Sequence, residues 1–353
     1  MVGPMKGSWV YIMTNAAHGT LYIGVTAHLA ARITQHREGR GSEFCREHGL
    51  VRLVYVERHE DIHEAIVREK RMKDWHRQWK LRLIRTSSRE GLRYPSDLTD
   101  REWSVTAPFV PPAKSGGRRR TTDMREVVNA LLYVASSGGA WRMLPKCFPP
   151  VSTVRRYFYA WRNAGLFETI NTVLVMNLRE IEGREASPSA GVIDSQSVKT
   201  TESGGVWGYD AGKKIRGRKR HILTDTCGFL IFILVHAADV QDRDGAVDVL
   251  KAVRFRYPWL RHVFADGGYA GDKLRDALKA HGSWTIEIIK RSDTAKGFVL
   301  LPRRWVVERT FAWLGRCRRL AKDWERSIAS STAWAHIASI RMLARRTARY
   351  CYA

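Results

Sequence analysis

Two aspartates and one glutamate occupy positions from which carboxylates could support metal-assisted chemistry. Asp194 lies inside an apolar run, Asp266 ends another and precedes two glycines, and Glu308 lies in an arginine-rich helical segment. A carboxylate buried on a strand is costly unless it is paired or binds a metal, and glycines let a ligand approach the backbone closely. Two ions about 3.5–4 Å apart could activate an attacking oxygen and stabilise a leaving one during phosphodiester cleavage. The three side chains therefore suit a pair of Mg²⁺ ions.

Each of these carboxylates also has a local alternative. Asp194 could accept hydrogen bonds from the serines that follow it, and Asp266 could be an ordinary turn residue before a glycine. Glu308 shares a helical face with Arg304 and could simply be its ion-pair partner. Each alternative is reasonable alone, but all three together are much less expected than a shared metal site.

The charge of the chain favours a polyanionic partner. Its 353 residues contain 60 Lys and Arg against 35 Asp and Glu, a formal net charge of +25. Nucleic acid is the first candidate, since Lys and Arg bind phosphates without reading base sequence. The basic segment 213–220 could grip a DNA backbone or form a solvated hairpin. The side chains expected to bind DNA are Arg118, Arg119, Arg120, Lys213, Lys214, Arg216, Arg218, Lys219, Arg220, Arg304 and Arg316.

Cysteine and hydropathy patterns argue against other classes of protein. Five cysteines are far apart and odd in number, and no pair has metal-ligand spacing, which predicts a reduced cytoplasmic protein. The N-terminus contains no apolar segment typical of a secretion signal. The longest apolar run, residues 229–235, is too short to cross a bilayer. We therefore expect no membrane partner.

A small α/β unit is predicted for the first part of the chain. Two β-rich runs flank a turn-like segment and predict a hairpin over residues 9–26, and residues 50–57 predict a third strand. A helix is expected between them, and residues 60–84 predict one long basic helix. The apolar faces of the two helices are predicted to contain Leu29, Ile33 and His36, and Ala65, Met72, Trp75 and Trp79, respectively.

The middle of the chain is predicted to be helical. Thr99 and Glu102 have the spacing of a capping box, which predicts the start of a helix. Asp123 opens a second helix, and residues 152–163 predict a third. A helix, a glycine-containing turn and a helix bearing Arg and Tyr have the composition of a helix-turn-helix DNA reader. A plain helical bundle with a solvated basic face fits about equally well, so both interpretations stay open.

The last part of the chain alternates between strands and helices. Strands are predicted around Asp194, over residues 221–238 and before Asp266, and helices cross between them. This order predicts a mixed sheet with helices on its faces. Glu308 lies in a helix that follows Pro302, a residue suited to a first helical turn. The stripe of this helix that faces the core is predicted to contain Val307, Phe311, Leu314 and Cys317.

Two tyrosine triplets and three later polar residues form an ordered pattern. The triplets are Val-Tyr-Ile over residues 10–12 and Tyr-Ile-Gly over residues 22–24. Over residues 8–85 the pattern resembles the GIY-YIG nuclease family, closest to its small stand-alone bacterial branch, although the first triplet departs from Gly-Ile-Tyr and the usual polar tail is missing. The tyrosines alone could be ordinary strand aromatics. The site residues implied by the resemblance are Tyr11, Tyr22, Arg32, His36 and Glu69.

The resemblance to the GIY-YIG family implies a specific catalytic role for each of these residue types. A tyrosine phenol would help to deprotonate water beside the scissile phosphate, and Arg32 would offset charge in the transition state. Glu69 would hold one divalent cation. Whether this unit is active or a remnant of a fusion is left open by the sequence.

Residues 94–350 resemble bacterial insertion-sequence transposases of the DDE class, in the insertion-sequence-five group. The stretches that carry the resemblance include IDSQSVKT, GYDAGKKIRGRKRHILTDT, HAADVQDRDGA, FADGGYAG and LPRRWVVERTFAWLGRCRRLAKDWE. The resemblance implies an RNase H-like core in which Asp194, Asp266 and Glu308 bind the metals.

The helix that carries Glu308 departs from the broader superfamily. Relatives often have Tyr-x2-Arg-x3-Glu-x6-Lys, but Leu301 replaces the tyrosine here and Gly315 stands where the lysine would be. Either Arg304 or Arg316 could therefore grip the scissile phosphate. Two tryptophans, Trp207 and Trp305, could stack on splayed bases, but core packing is the favoured interpretation for both.

Together these observations predict an α/β multidomain protein that moves DNA. Water would attack at the ends of a mobile element, and the freed 3′-OH would then attack target DNA. The alternative is a non-catalytic or domesticated DNA-binding protein. We expect double-stranded DNA as partner, a homo-oligomer on that DNA, two Mg²⁺ or Mn²⁺ ions at the three carboxylates, one further ion at Glu69, and a bacterial, nucleoid-associated location. The predicted divisions are a GIY-YIG-like domain over residues 1–88, a linker over 89–98, a helical DNA-binding region over 99–186 and an RNase H-like catalytic domain over 187–353.

Overall fold

A computed structural model gives the architecture of the chain as two compact units. One comprises Met1–Val105 with Ala348–Ala353, and the other comprises Thr106–Thr347. The domain boundaries inferred from the sequence remain predictions. Across the part of the chain that the structure describes, no helix is long and apolar enough to span a membrane. The structure describes residues 8–16, 19–87, 92–113, 119–202, 204–279, 281–289 and 302–350.

The first unit is built on a three-stranded antiparallel sheet of order β2-β1-β3. The predicted hairpin and third strand are confirmed. Helix α1 buries the three residues predicted for its inner face. The elements are β1 (Ser8–Thr14), β2 (Leu21–Thr26), α1 (Leu29–Arg37), α2 (Glu43–Glu47), β3 (Arg52–His59), α3 (Ile62–Asp74), α4 (Arg77–Ser87) and α5 (Asp100–Thr106).

Strand β1 separates two small cores, because successive side chains of a strand point to opposite faces. Tyr11 and Met13 pack with α1 on one face. Val10 and Ile12 pack with Ala65 of α3 on the other. The tyrosine of the first triplet is thus on the α1 side of the sheet.

The single long helix predicted for residues 60–84 is wrong, because the chain forms two helices there. Trp75 ends α3 with extended backbone angles, φ −65° and ψ 144°. Its ring packs in the core beside α3, with the Arg68 guanidinium 5.0 Å from the ring centre. The apolar stripe therefore does not continue, and Trp79, predicted to be on the apolar side, is 58% exposed.

The capping box predicted at the start of α5 is confirmed. The Glu102 backbone N–H donates to Thr99 Oγ1 at 3.2 Å, and the Thr99 N–H donates to Glu102 Oε2 at 3.1 Å. These two bonds satisfy backbone donors that a helix start leaves without partners.

The second unit begins with three helices, α6 (Met124–Ser137), α7 (Val151–Asn163) and α8 (Leu166–Ile181). Asp123 caps α6 through the Arg125 N–H, and Gly138 ends it in the left-handed conformation. Residues 138–150 connect α6 to α7, which is much longer than the roughly three- to four-residue turn of a helix-turn-helix. These two helices therefore do not form that motif. Sequence patterns did not predict α8.

The rest of the second unit is a six-stranded mixed sheet with helices on both faces, as predicted from the sequence. The order is β5-β6-β4-β8-β9, with β7 on β6. Strand β4 runs antiparallel to β6 and parallel to β8, and β9 runs parallel to β8. The elements are β4 (Ala190–Lys199), β5 (Gly208–Asp210), β6 (Ile215–Asp225), β7 (Leu230–Ala237), α9 (Asp242–Val253), β8 (His262–Ala265), α10 (Asp272–Lys279), β9 (Thr285–Ile288), α11 (Pro302–Gly315) and α12 (Ile328–Tyr350).

The two faces of this sheet pack against different helices. Ile193 and Leu223 pack with Val249 of α9 on one face. Val192 and Phe264 lie beside Val307 of α11 on the other. Asp194, two residues after Val192, is therefore on the α11 face.

Three cations predicted to bind DNA are buried in β6, which corrects that prediction. Arg218, Lys219 and Arg220 are at most 4% exposed. Arg218 pairs with buried Asp323 at 3.1 Å, and Arg220 donates to the Leu320 carbonyl at 2.7 Å. Burial also lowers the pKa of Arg220 to about 10. Because these three side chains are enclosed in the core, they cannot contact a DNA backbone.

Candidate active sites

The pairing of β4 with β8 brings the two predicted aspartates together. The parallel register aligns Val192 with Phe264. Two residues further along both strands are Asp194 and Asp266, which therefore stand opposite each other where β8 ends. Neighbouring strands are about 4.8 Å apart. The register of β4 and β8 thus places two aspartates that are far apart in the sequence next to each other.

Helix α11 brings Glu308 to the same face. The Thr310 hydroxyl donates to the Gly228 carbonyl at 2.8 Å and fixes the helix across the turn between β6 and β7. Gly228 has φ +88°, and a Cβ there would lie 3.0 Å from Thr310 Oγ1, so the close approach requires glycine. The predicted inner stripe is confirmed for Val307 and Leu314, which are buried; Cys317 is also buried but lies beyond the end of α11 at Gly315. Phe311 is only partly buried.

Arg304 links two of the three carboxylates. Its guanidinium lies 3.5 Å from Asp266 Oδ2 and 3.2 Å from Glu308 Oε1. The local alternatives weighed for the aspartates also exist, since Asp194 Oδ1 accepts the Ser195 N–H and Asp266 Oδ1 accepts the Gly268 N–H. The aspartates therefore form the local hydrogen bonds considered as alternatives and also belong to a shared cluster with Glu308, so the two interpretations are compatible. We call Asp194, Asp266, Glu308 and Arg304 the carboxylate cleft.

The carboxylate cleft suits a hard divalent cation by its donors. Oxygen ligands are those that Mg²⁺ and Mn²⁺ prefer. Burial, aided by the negative charge of Asp266, raises the pKa of Asp194 to about 6, because both disfavour the ionised carboxylate. Among the residues that the structure describes, no three His, Cys, Asp or Glu side chains already enclose a metal-sized space. Arg304 pairs with one oxygen of Asp266 and one of Glu308.

A basic and aromatic surface borders the carboxylate cleft. Lys213 donates to the Ser195 carbonyl at 3.3 Å, and Lys213, Lys214 and Arg216 are exposed. The Arg216 guanidinium lies 3.7 Å from the ring centre of Trp207, which is 48% exposed. The prediction of core packing is therefore wrong for Trp207.

The remaining predicted contacts to DNA are distributed elsewhere. Trp305 is 39% exposed beside Arg309, so core packing was also wrong there. Arg119 and Arg316 are exposed, and Arg120 donates to the Pro111 carbonyl. Arg118 lies outside the described residues, as does Leu301.

In the first unit, four of the five predicted site residues form one cluster. The Tyr11 hydroxyl lies 2.8 Å from His36 Nε2, and Arg32 Nε donates to that hydroxyl at 3.4 Å. The Tyr22 ring meets the His36 ring edge-on, with centres 5.4 Å apart. Burial raises the pKa of Tyr11 to about 12, although the Arg32 hydrogen bond opposes this. We call these four residues the tyrosine cluster.

Gly24 completes the tyrosine cluster from the neighbouring strand. The register places it opposite Tyr11, and a Cβ there would lie 2.5 Å from the Tyr11 hydroxyl. The glycine of the second triplet therefore makes room for the phenol of the first. Only glycine can occupy this position without moving the hydroxyl from Arg32 and His36.

Glu69 is not joined to the tyrosine cluster. It is 8% exposed on α3, the helix that packs on the opposite face of β1. Its charged partner among the described residues is Lys73, one helical turn later. The metal-binding role of Glu69 therefore stays a prediction, and the geometry of the tyrosine cluster does not support it.

Sequence reasoning missed a second layer of polar residues behind the carboxylate cleft. Asp242, at the start of α9, accepts hydrogen bonds from Ser195 and lies 2.8 Å from Lys219. The available signal was a pair of acids, Asp242 and Asp244, opening a helix directly after a strand. Acidic residues are favourable in the first turn of any helix, so the pattern did not distinguish Asp242 and Asp244 from ordinary acids at a helix start.

Three regions of the chain match known families. Residues 185–343 match the family described as "Transposase DDE domain", and residues 98–171 match "Putative transposase of IS4/5 family". Residues 7–82 match the "GIY-YIG catalytic domain". These three matches follow one another along the chain and cover both candidate sites.

Individual relatives each match part of the chain. A putative transposase for insertion sequence element IS402 of Burkholderia cepacia is 36% identical over 120 residues, which are 31% of this chain and 54% of that protein. The chain thus spans about half the length of that relative. An uncharacterized protein, y4sN, of Sinorhizobium fredii is 34% identical over 102 residues, 29% of this chain and 75% of that protein. A UPF0213 protein of Staphylococcus aureus is 38% identical over 81 residues, 23% of this chain and 98% of that protein. No solved structure matches the chain.

Proposed function

The chain belongs to the IS4/5 family of DDE transposases and carries a GIY-YIG catalytic domain at its N-terminus, and we propose that it cuts the ends of a mobile element and joins them to target DNA. DNA is the substrate of both domains, and DDE domains use divalent metal ions. The observation that carries the proposal is the register of β4 and β8, which sets Asp194 opposite Asp266 on the face that receives Glu308.

The reaction consists of two displacements at phosphorus. A water oxygen first bonds to the phosphorus at the element end, and the 3′ oxygen leaves with a proton. The oxygen of that 3′-OH then bonds to a phosphorus of target DNA and loses its proton, and a target 3′ oxygen leaves and takes up a proton. Two Mg²⁺ or Mn²⁺ ions held by Asp194, Asp266 and Glu308 would activate the attacking oxygen and stabilise the leaving one.

The residues of the chain orient DNA around these carboxylates. Lys213 and Arg216 are exposed beside β4 and neutralise backbone phosphates. Arg304 is held by two carboxylates and becomes free to grip the scissile phosphate when those carboxylates bind cations. Trp207 offers a ring face to a base splayed from the end of the duplex. Joining two element ends to one target calls for at least two copies of the chain, so a homo-oligomer on DNA is part of the proposal.

A nuclease function of the N-terminal unit is favoured by the tyrosine cluster. The hydroxyl of its buried tyrosine, Tyr11, contacts an arginine and a histidine, although the ring packs among apolar side chains. Ordinary strand aromatics do not require the glycine found opposite Tyr11. We propose that Tyr11 and His36 activate water for nicking of DNA and that Arg32 stabilises the transition state.

The central test is cleavage of DNA that carries the ends flanking the gene, in the presence of Mg²⁺. Asp266→Asn should abolish end cleavage. Asp272→Asn is the matched control, because this exposed acid lies six residues later and pairs with Arg275 on its own helix. Equal end cleavage by wild type and Asp266→Asn would overturn the assignment. Intact DNA binding without cleavage by any form would favour the non-catalytic alternative.

A further inference from the structure

Asp242 is hydrogen-bonded to the strand that carries Asp194 and lies close to the turn that follows Asp266. On the β4 side, the Ser195 hydroxyl donates to Asp242 Oδ1 at 2.7 Å, and Ser195 directly follows Asp194. On the β8 side, a Cβ on Gly268 would lie 3.1 Å from Asp266 Oδ1 and 3.8 Å from Asp242 Oδ2. The two carboxylates of Asp242 and Asp266 therefore flank one small space beside Gly268.

A buried lysine holds Asp242 in this position. Lys219 has a side chain that is 5% exposed, and its ammonium lies 2.8 Å from Asp242 Oδ1. The same ammonium donates to the Val240 carbonyl at 2.7 Å and lies 3.6 Å from Asp210. A buried ammonium is costly unless it is paired and hydrogen-bonded, so this geometry is strongly preferred once formed.

The second oxygen of Asp242 is not used by Lys219. Oδ1 receives both Ser195 and Lys219, while Oδ2 points to the space beside Gly268. Tyr269, the next residue after Gly268, is buried, and burial together with the charges of Asp194, Asp242 and Asp266 raises the pKa of its hydroxyl well above the usual range. Asp242 thus adds a fourth carboxylate behind the cleft without replacing any of the three in front.

We propose that Asp242, locked by Lys219, is a positioning residue that fixes Asp194 and Asp266 in the orientation needed to hold divalent cations. The inference rests on the proposed metal role of these two aspartates. This positioning role differs from helix capping, because a capping residue would stabilise α9 without changing the orientation of Asp194 and Asp266. Partners behind metal ligands typically change metal affinity by about 10- to 100-fold when they are removed.

The first experiment measures Mn²⁺ binding to the full-length chain by electron paramagnetic resonance. Asp242→Asn should weaken binding by about 10- to 100-fold. Asp244→Asn is the matched control, since it removes the same charge from the same turn of α9 but pairs with Lys273 at 2.7 Å. Asp242→Glu should recover part of the affinity. Equal Mn²⁺ affinity for Asp242→Asn and Asp244→Asn would overturn the proposal.

A second experiment needs no metal and keeps the buried lysine paired. Ser195→Ala removes the hydrogen bond between β4 and Asp242 and leaves the charge of Asp242 beside Lys219 unchanged. Amide hydrogen exchange at residues 194–196 should speed up in Ser195→Ala, and at residues 194–196 and 267–269 in Asp242→Asn, but in neither region in Asp244→Asn. Unchanged exchange in both segments would contradict the positioning role. Mn²⁺ affinity that is the same in wild type and Asp266→Asn would instead refute the proposed metal site, and the exchange result would still decide the role of Asp242.

Discussion

Replacing Asp323 tests whether the basic strand β6 is structural rather than a DNA contact. Asp323 is 1% exposed, and Arg218, its partner, is fully buried. The Arg218 guanidinium lies 3.1 Å from Asp323 Oδ1 and also donates to the Val206, Glu325 and Arg326 carbonyls. Asp323→Asn keeps the shape of the side chain but leaves a buried cation without its counter-charge.

The expected loss of stability follows from that burial. Removing one partner of a buried ion pair costs about 3–5 kcal/mol. For a unit of this size, each kcal/mol lowers the unfolding midpoint by about 2–4 °C, so the midpoint should fall by roughly 6–20 °C. Removing both charges in Arg218→Met/Asp323→Leu should recover much of the loss, because no charge is then left alone in the core.

Calorimetry and DNA binding together measure this effect. Thermal unfolding is recorded for wild type, Asp323→Asn and the double variant, and DNA affinity is measured on folded protein across a range of salt concentrations. Arg216→Met is the control, because this exposed cation on the same strand should lower the salt dependence by about one unit with little change in stability. A midpoint within about 2 °C of wild type for Asp323→Asn would refute the reasoning.

Three further predictions concern other single residues. His336 is buried, and burial lowers its pKa to about 4, below the value in the unfolded chain. The stability that the neutral side chain contributes above pH 6.5 is therefore lost as the pH falls towards 4. In urea titrations, His336→Gln should make the loss of unfolding free energy between pH 7.5 and 4.5 smaller by about 2–3 kcal/mol. Arg304→Ala should raise Mn²⁺ affinity by about two- to thirtyfold, since two partly exposed ion pairs of about 0.2–1 kcal/mol no longer compete, while end cleavage falls; unchanged affinity would contradict the competition. Tyr11→Phe in the Asp266→Asn background should abolish residual nicking but change the unfolding free energy by only about 0.5–1.5 kcal/mol, and persistent nicking would exclude the phenol as a catalytic group.

Much of the site was predictable because its signals are local. The capping box at Thr99 and Glu102 depends on residues three apart, and the inner stripe of α11 depends on helical periodicity. The apolar runs before Asp194 and Asp266 predicted strands, which both aspartates follow or occupy in the structure. The roles of the three carboxylates in catalysis remain predictions that mutation must test.

Other features could not be predicted, because their causes lie far away in the chain. The break after α3 depends on where the Trp75 ring finds space in the first unit, which no local pattern encodes. The exposure of Trp207 likewise depends on the edge position of the strand that follows it. Composition alone favoured a buried tryptophan there.

The sequence by itself determined the alternation of strands and helices and the positive charge, and it singled out the candidate site carboxylates, because these follow from residue type and short-range periodicity. Only the tertiary structure decided which cations can meet DNA. Arg218 and Lys219 are consecutive in a run of basic residues, yet one is neutralised by Asp323 and the other by Asp242 inside the fold. A buried charge is tolerated only when a distant partner reaches it, and that partner is chosen by the register of the strands and the packing of the helices.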